Sequence, residues 1–144
     1  MLKMLFLVAW LFPRWVVATE PETQVYAKEV KVTEILKTLQ TADAQAIKYP
    51  RVAHPEVTIL NIEIPPGKES GWHKHPVPIY AYVVSGQLTV EIAGGKEFNY
   101  TAGQGFAEVV NVFHNGKNLG TEPVKLIAVI TGEQGKAFTV KRSP

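Results

Sequence analysis

The sequence predicts an all-β domain, a sandwich or barrel built from short antiparallel strands. Three observations lead there. Between Val57 and Thr131, β-branched and aromatic residues fall in short runs, turn-forming Gly and Pro interrupt those runs at a spacing of roughly ten residues, and no convincing amphipathic helix shares the stretch. A chain of 144 residues has room for one domain with a real core and not comfortably for two. Its apolar fraction of 46% against 19% charged is that of a globular protein and not of a disordered one.

The N-terminus is set apart from that domain. Lys3 precedes the uncharged apolar run Met4 to Phe12, which is followed by Pro13, Arg14 and the small-residue end Val16-Val17-Ala18. This is the layout of a signal peptide over residues 1–18, with cleavage expected after Ala18 and a periplasmic or secreted product. Arg14 breaks the run well short of the ~20 apolar residues a bilayer crossing needs, so no stable membrane span is expected once the signal is removed. Residues 19–28 are polar, contain Pro21 and read as a linker or N-terminal arm. The domain proper is expected over 29–144.

Within it, Val32 to Gln40 could form a helical turn or two and is read as a first strand. Val57 to Ile64 alternates apolar and polar residues and stops at Pro65-Pro66-Gly67. Ile79 to Val84, the turn Ser85-Gly86 and Leu88 to Ile92 read as an antiparallel pair. Gly94-Gly95 is a hairpin signal into Glu97 to Tyr100. Ala102-Gly103 turns the chain into a strand from Gly105 to Val110, and Val124 to Thr131 is the last clear strand.

Charge and composition exclude several classes of function. The net charge is +2, with Lys and Arg scattered among Asp and Glu, so no basic stripe offers itself to nucleic acid. With no cysteine, a disulfide, a thiolate metal site and a Cys nucleophile are all excluded. Any metal must sit on nitrogen and oxygen. Two of the four histidines form His73-Lys74-His75, and side chains two apart on a strand share a face. His114 follows some forty residues later, behind two hairpins. Neutral imidazole is the commonest metal ligand, and three of them with an open position form a frequent catalytic arrangement. His54, before Pro55, reads as an exposed loop residue. Trp72 and Pro76-Val77-Pro78 read as a rim or lid beside the ligand pair, and Lys74 is expected to face outward.

Spacing adds a family. Gly67, five residues, His73, Lys74, His75 and then Gly86 resemble the first cupin motif. Gly103, five residues, Val109-Val110-Asn111, two residues, His114, three residues and Asn118 resemble the second. What the resemblance implies is a double-stranded β-helix, the small jelly-roll barrel of the cupin type, carrying one divalent metal on its inner wall and often paired as a homodimer. This sequence departs from the pattern in two places. The motif's metal-binding glutamate is missing, since Ile79 and Tyr80 stand where it belongs and no carboxylate occurs between His75 and Glu91. Val109 and Asn111 replace the proline and glycine of the second turn, although Asn tolerates the left-handed backbone that such a turn needs. Asn118 is expected to close a turn through side-chain bonds.

Glu108 is the candidate that fills the gap, flanked by Ala107 and Val109-Val110 in the strand leading to His114. It either faces solvent or a lysine, or turns inward, where the cost of burying a carboxylate would be offset by a metal. Tyr80 or Tyr82 is expected to point inward by strand alternation and to offer a hydroxyl to substrate. The expected metal ligands are therefore His73, His75, His114 and Glu108, with Tyr80 and Glu108 as catalytic candidates. Three His without a carboxylate favour Zn, Cu or Ni; adding the carboxylate favours Fe or Mn. The expected function is that of a metal-dependent enzyme on a small organic molecule, of dioxygenase, isomerase or lyase type. The alternatives are a non-catalytic periplasmic module binding a metal or small ligand, and a structural barrel whose histidines fill the interior.

Overall fold

A computed structural model describes residues 29–143; the expected signal peptide and linker lie outside them. Among the described residues there is no helix, and so none long and apolar enough to cross a membrane. Strands β1 (Pro55–Ile64), β2 (His73–Lys74), β3 (Ile79–Ser85), β4 (Gln87–Ile92), β5 (Lys96–Thr101), β6 (Gly105–Ala107), β7 (His114–Lys117), β8 (Val124–Glu133) and β9 (Val140–Lys141) form two antiparallel sheets. One sheet runs β1-β8-β3-β6 and the other β5-β4-β7-β2-β9. The non-sequential order is that of a double-stranded β-helix, although the two sheets keep their edges and do not close into a continuous barrel.

Alternation sets the core. Along β3, Ile79, Ala81 and Val83 are buried, and along β8 Val124, Leu126, Ala128 and Ile130 are; these faces meet Leu88, Val90 and Ile92 of β4. Tyr80 and Tyr82 occupy the other parity of β3, so both point to the outer face of the four-stranded sheet. The expectation that one of them faces inward is corrected: positions two apart share a face, and the core has claimed Ile79, Ala81 and Val83.

The hairpin at Gly94-Gly95 forms as expected, with β4 and β5 paired from Gln87↔Thr101 to Ile92↔Lys96. Ser85-Gly86 does not make a hairpin. It carries the chain from one sheet to the other, because β3 pairs with β6 and β8 whereas β4 pairs with β5 and β7. Gly86 takes φ 79°, and a Cβ there would lie 2.8 Å from the carbonyl oxygen of Pro123, so the crossing requires glycine on two counts. The strand expected over Val32 to Gln40 is also corrected. That segment is exposed and irregular, with one bridge from Gln40 to Ala46, and Ala42 donates its N–H to the Ala107 carbonyl at 2.9 Å at the edge of β6. The strand expected over Gly105 to Val110 ends at Ala107.

Asn118 closes the region between β7 and β8. Fully buried, it donates from Nδ2 to the carbonyls of Ile64 and Glu122, both at 2.8 Å, and accepts from the Gly120 N–H at 3.0 Å. Removing it strands two carbonyls and one N–H at the end of β1. Asn118→Ala is expected to lower stability by about 2–4 kcal/mol, read as a lower urea midpoint with unchanged slope.

Candidate metal centre

Cross-strand register brings the histidines together. β2 lies between β7 and β9, with His73 directly opposite His114, so the two side chains share a face and their ring centroids are 4.5 Å apart. His75 follows just beyond β2, held by a parallel bridge to Val110 and by the Asn111 N–H, which donates to its carbonyl at 2.8 Å. Asn111 adopts φ 59°, the left-handed conformation expected of it. The His75 ring lies 4.8 Å from that of His73 and 5.1 Å from that of His114. One ring nitrogen of each falls within 4.8 Å of the others.

Each imidazole is oriented by a backbone carbonyl. Nδ1 of His73 bonds the Gly71 oxygen at 2.7 Å, that of His75 the Phe138 oxygen at 2.8 Å, and that of His114 the Val112 oxygen at 3.0 Å. A carbonyl only accepts, so Nδ1 carries the proton in all three and Nε2 presents a lone pair. This is the outer-sphere arrangement that fixes metal-binding histidines.

Glu108 turns inward. Its Oε2 lies 3.2 Å from Nε2 of His75 and 3.2 Å from Nε2 of His114, with the side chain only 13% exposed. Two lone-pair nitrogens and a carboxylate oxygen at that separation repel unless a cation stands among them, either a proton or a metal. Atoms about 2.1 Å from one metal ion sit about 3.0–3.4 Å apart, which the two 3.2 Å separations match. His75, His114 and Glu108 are therefore spaced as ligands of one divalent ion are, and His73 presents its ring nitrogen within 4.8 Å of those of the other two histidines.

Without an ion, protons take that role. Burial works to raise the Glu108 pKa, but hydrogen bonds and charge from His114 and His75 outweigh it and hold the group down at about 2. Burial works to lower His114, yet the bond and charge of Glu108 raise it above its ordinary value. His73, lowered chiefly by burial, stays neutral.

The site forms one wall of a cavity of about 140 Å³ between the two sheets, lined otherwise mainly by apolar side chains such as Ile62, Leu88, Phe106 and Phe138. Tyr80 and Tyr82 do not line it. Neither does His54, which is exposed. Lys74 lies outside, its Nζ 5.1 Å from the Phe113 ring centroid. Val77 packs on Ile79, Ala128 and Ile130, which holds Pro76-Val77-Pro78 against the core beside the cavity. Sequence reasoning missed the C-terminal contribution: Phe138 orients His75 through its carbonyl, and Thr139 places Oγ1 3.2 Å from the same Nδ1. The only local signal was the short run Ala137 to Lys141, too brief to read as a strand.

The family model described as the cupin domain matches residues 60–130, spanning both histidine segments and Glu108. Residues 60–130 are a cupin domain. Solved structures agree with the fold. An oxalate decarboxylase of Lactobacillus farciminis, solved as a formate complex, superposes with a TM-score of 0.53 at 24% identity over 59% of this chain and 26% of its own. The DMSP lyase DddQ of Ruegeria pomeroyi gives 0.52 at 15% identity over 59% and 42%. An uncharacterised Klebsiella pneumoniae protein with a double-stranded β-helix domain gives 0.53 at 19% identity over 66% and 90%. The chain thus spans about a quarter of the decarboxylase and under half of the lyase, and the likeness is one of fold. No curated protein matches the sequence.

Glu108 raises the His114 pKa, so a divalent ion would compete with a proton for that nitrogen. Metal affinity is therefore expected to fall as pH drops through a His114 pKa raised above 6.5, measured by competition with a chelating dye between about pH 8 and about pH 5. Glu108→Gln is expected to bind metal less tightly at the alkaline end, by more than the ~10–100-fold lost with an outer-sphere partner, and to shift the acid release to lower pH.

Proposed function

We propose that this cupin domain is a metal-dependent enzyme acting on a small organic molecule, with His73, His75, His114 and Glu108 holding one divalent ion. The observation that carries this reading is the convergence of three carbonyl-oriented imidazoles and one inward carboxylate on the wall of a mostly apolar cavity. Three nitrogens with one carboxylate oxygen favour iron or manganese over zinc, copper or nickel. The bound ion would supply Lewis-acid or redox chemistry at an open position.

The protein's own part is to orient and to exclude water. Phe106, Phe138 and the aliphatic lining keep the cavity dry, which strengthens any charge interaction within it. Apart from the three histidines, Glu108 is the one acid–base group in the lining; Ser70 and Thr139 supply hydroxyls only. That scarcity favours reactions driven at the metal, of dioxygenase or lyase type, over those needing a proton relay. It also supports the second reading, a module that binds a metal or a small ligand without turnover.

The test is elemental analysis joined to turnover. Wild-type protein loaded with Fe(II) or Mn(II) is expected to retain one equivalent per chain and to deplete members of a mixture of small organic molecules, whereas His73→Ala and His114→Ala retain almost none and deplete nothing. Equal metal in all three proteins would remove the site. Metal retained with ligand bound and unchanged would leave the binding module.

Export and pairing of two copies, expected from the sequence, belong to the same proposal. The mature protein is expected to begin at Thr19 by mass spectrometry of the exported fraction and to elute as a dimer with light-scattering detection. A chain keeping Met1 to Ala18, or a monomer, would remove the corresponding part.

A further inference from the structure

Outside the cavity, on the far side of His73, lies an open cleft of about 440 Å³ lined by Ser70, Gly71, Trp72, Thr139, Lys141 and Arg142. Ser70, His73 and Thr139 line both spaces, so the cleft and the cavity share one wall. The charge in the cleft is of one sign. No Asp or Glu lines it, and among the described residues no carboxylate lies within salt-bridge distance of Lys74, Lys141 or Arg142.

Arg142 is held in place. Its N–H donates to the Trp72 carbonyl at 2.9 Å, and its guanidinium carbon lies 5.7 Å from the ring centroids of both Trp72 and Phe113. Lys74 reaches over the same Phe113 ring. Aromatic faces stabilise a cation weakly and leave its outward field intact, so Lys141 and Arg142 bring positive charge to the cleft with no carboxylate partner among the described residues, while Lys74 lies outside it. The cavity behind them contains no lysine or arginine. Its volume of about 140 Å³ is close to that of engineered apolar cavities of ~150 Å³ that take up benzene.

Taken together, these features describe an amphipathic ligand. We propose that the site takes a small organic monocarboxylate whose apolar body, of about benzene size, enters the cavity while its charge rests on Lys141 and Arg142 in the cleft. This rests on the reading of the cavity as the enzyme's substrate site and names the class of molecule it admits. Lys141 and Arg142 are then specificity-determining residues outside the metal set.

Phenylacetate and its uncharged near-isostere phenylacetamide separate body from charge. Titration calorimetry on the metal-loaded protein, and on the same protein stripped with a chelator, is expected to give phenylacetate at least a ~10-fold tighter Kd than the amide in both forms, as one charge-assisted hydrogen bond would. The advantage is expected to shrink in high salt. In Lys141→Gln/Arg142→Gln the two ligands are expected to bind equally, with amide affinity, metal content and thermal midpoint unchanged, since both side chains are exposed. Three results would overturn the proposal: no binding of phenylacetate, equal affinity for acid and amide in wild type, or an advantage that survives in the double variant. An advantage confined to the metal-loaded form would also overturn it, because the carboxylate would then be on the ion. Failure of the metal reading shows separately, as wild-type protein that retains no metal yet still prefers the acid.

Discussion

Three protonated Nδ1 atoms, each committed to a backbone carbonyl, leave three Nε2 lone pairs facing one another and two of them facing a carboxylate. Cross-strand register is what holds those atoms at one place. His73 and His114 are locked as cross-strand neighbours between β2 and β7, while β9 and the Val110 bridge hold the flanks. A cation among the four groups relieves their mutual repulsion, and a proton shared by Glu108 and His114 is the minimal case. On the proposed reading, a divalent ion would take up all four groups at once.

The same constraint explains where the carboxylate comes from. In the first cupin motif the acidic ligand follows the histidine pair on the chain, but here that place falls at Ile79 or Tyr80 on β3. Ile79 is buried in the core, and Tyr80 belongs to the outer face. Glu108 reaches the centre from just beyond β6, the neighbour of β3, with its own N–H donated to the Ile79 carbonyl at 2.9 Å. The two routes are adjacent in space although far apart in sequence. Under the proposed metal reading, Glu108 would supply from β6's end the carboxylate that the motif places on β3.

This locality divides what was legible in the sequence from what was not. Alternation at the end of β1, over Leu60 to Ile64, the Gly94-Gly95 hairpin and the left-handed Asn111 are decided by neighbouring residues, and all were readable, whereas the exposure of Val57 and Ile59 was not. Ser85-Gly86 was not, because a turn that reverses within one sheet and one that crosses to another have the same local signature; the difference lies in partners such as Pro123, far along the chain. Val32 to Gln40 places its apolar residues at 32, 35, 36 and 39, a spacing nearer a helix face than a strand, and it meets no ladder that could make a strand of it. The histidines were legible as a set because motif spacing encodes register. The inward turn of Glu108 was legible only as one of two alternatives, since burial depends on both sheets. Phe138 and Thr139 were invisible, their role being carried by a carbonyl and a hydroxyl at the edge of a two-residue strand.

β9 therefore has more importance than its length suggests. It pairs with β2 at His73 and Lys74, its approach orients His75, and the residues within and after it, Lys141 and Arg142, are the two cations that line the cleft. A two-residue pairing at a sheet edge is among the easiest elements of a fold to open, since few buried contacts hold it. Opening it would release the carbonyl that fixes His75 and uncover Phe138 and Thr139 together. Metal affinity, access to the cavity and the charge at its approach are thus linked through one short strand. An ion bound at His75 would favour the closed pairing to the same extent that the pairing favours the ion, because the coupling between two equilibria is reciprocal.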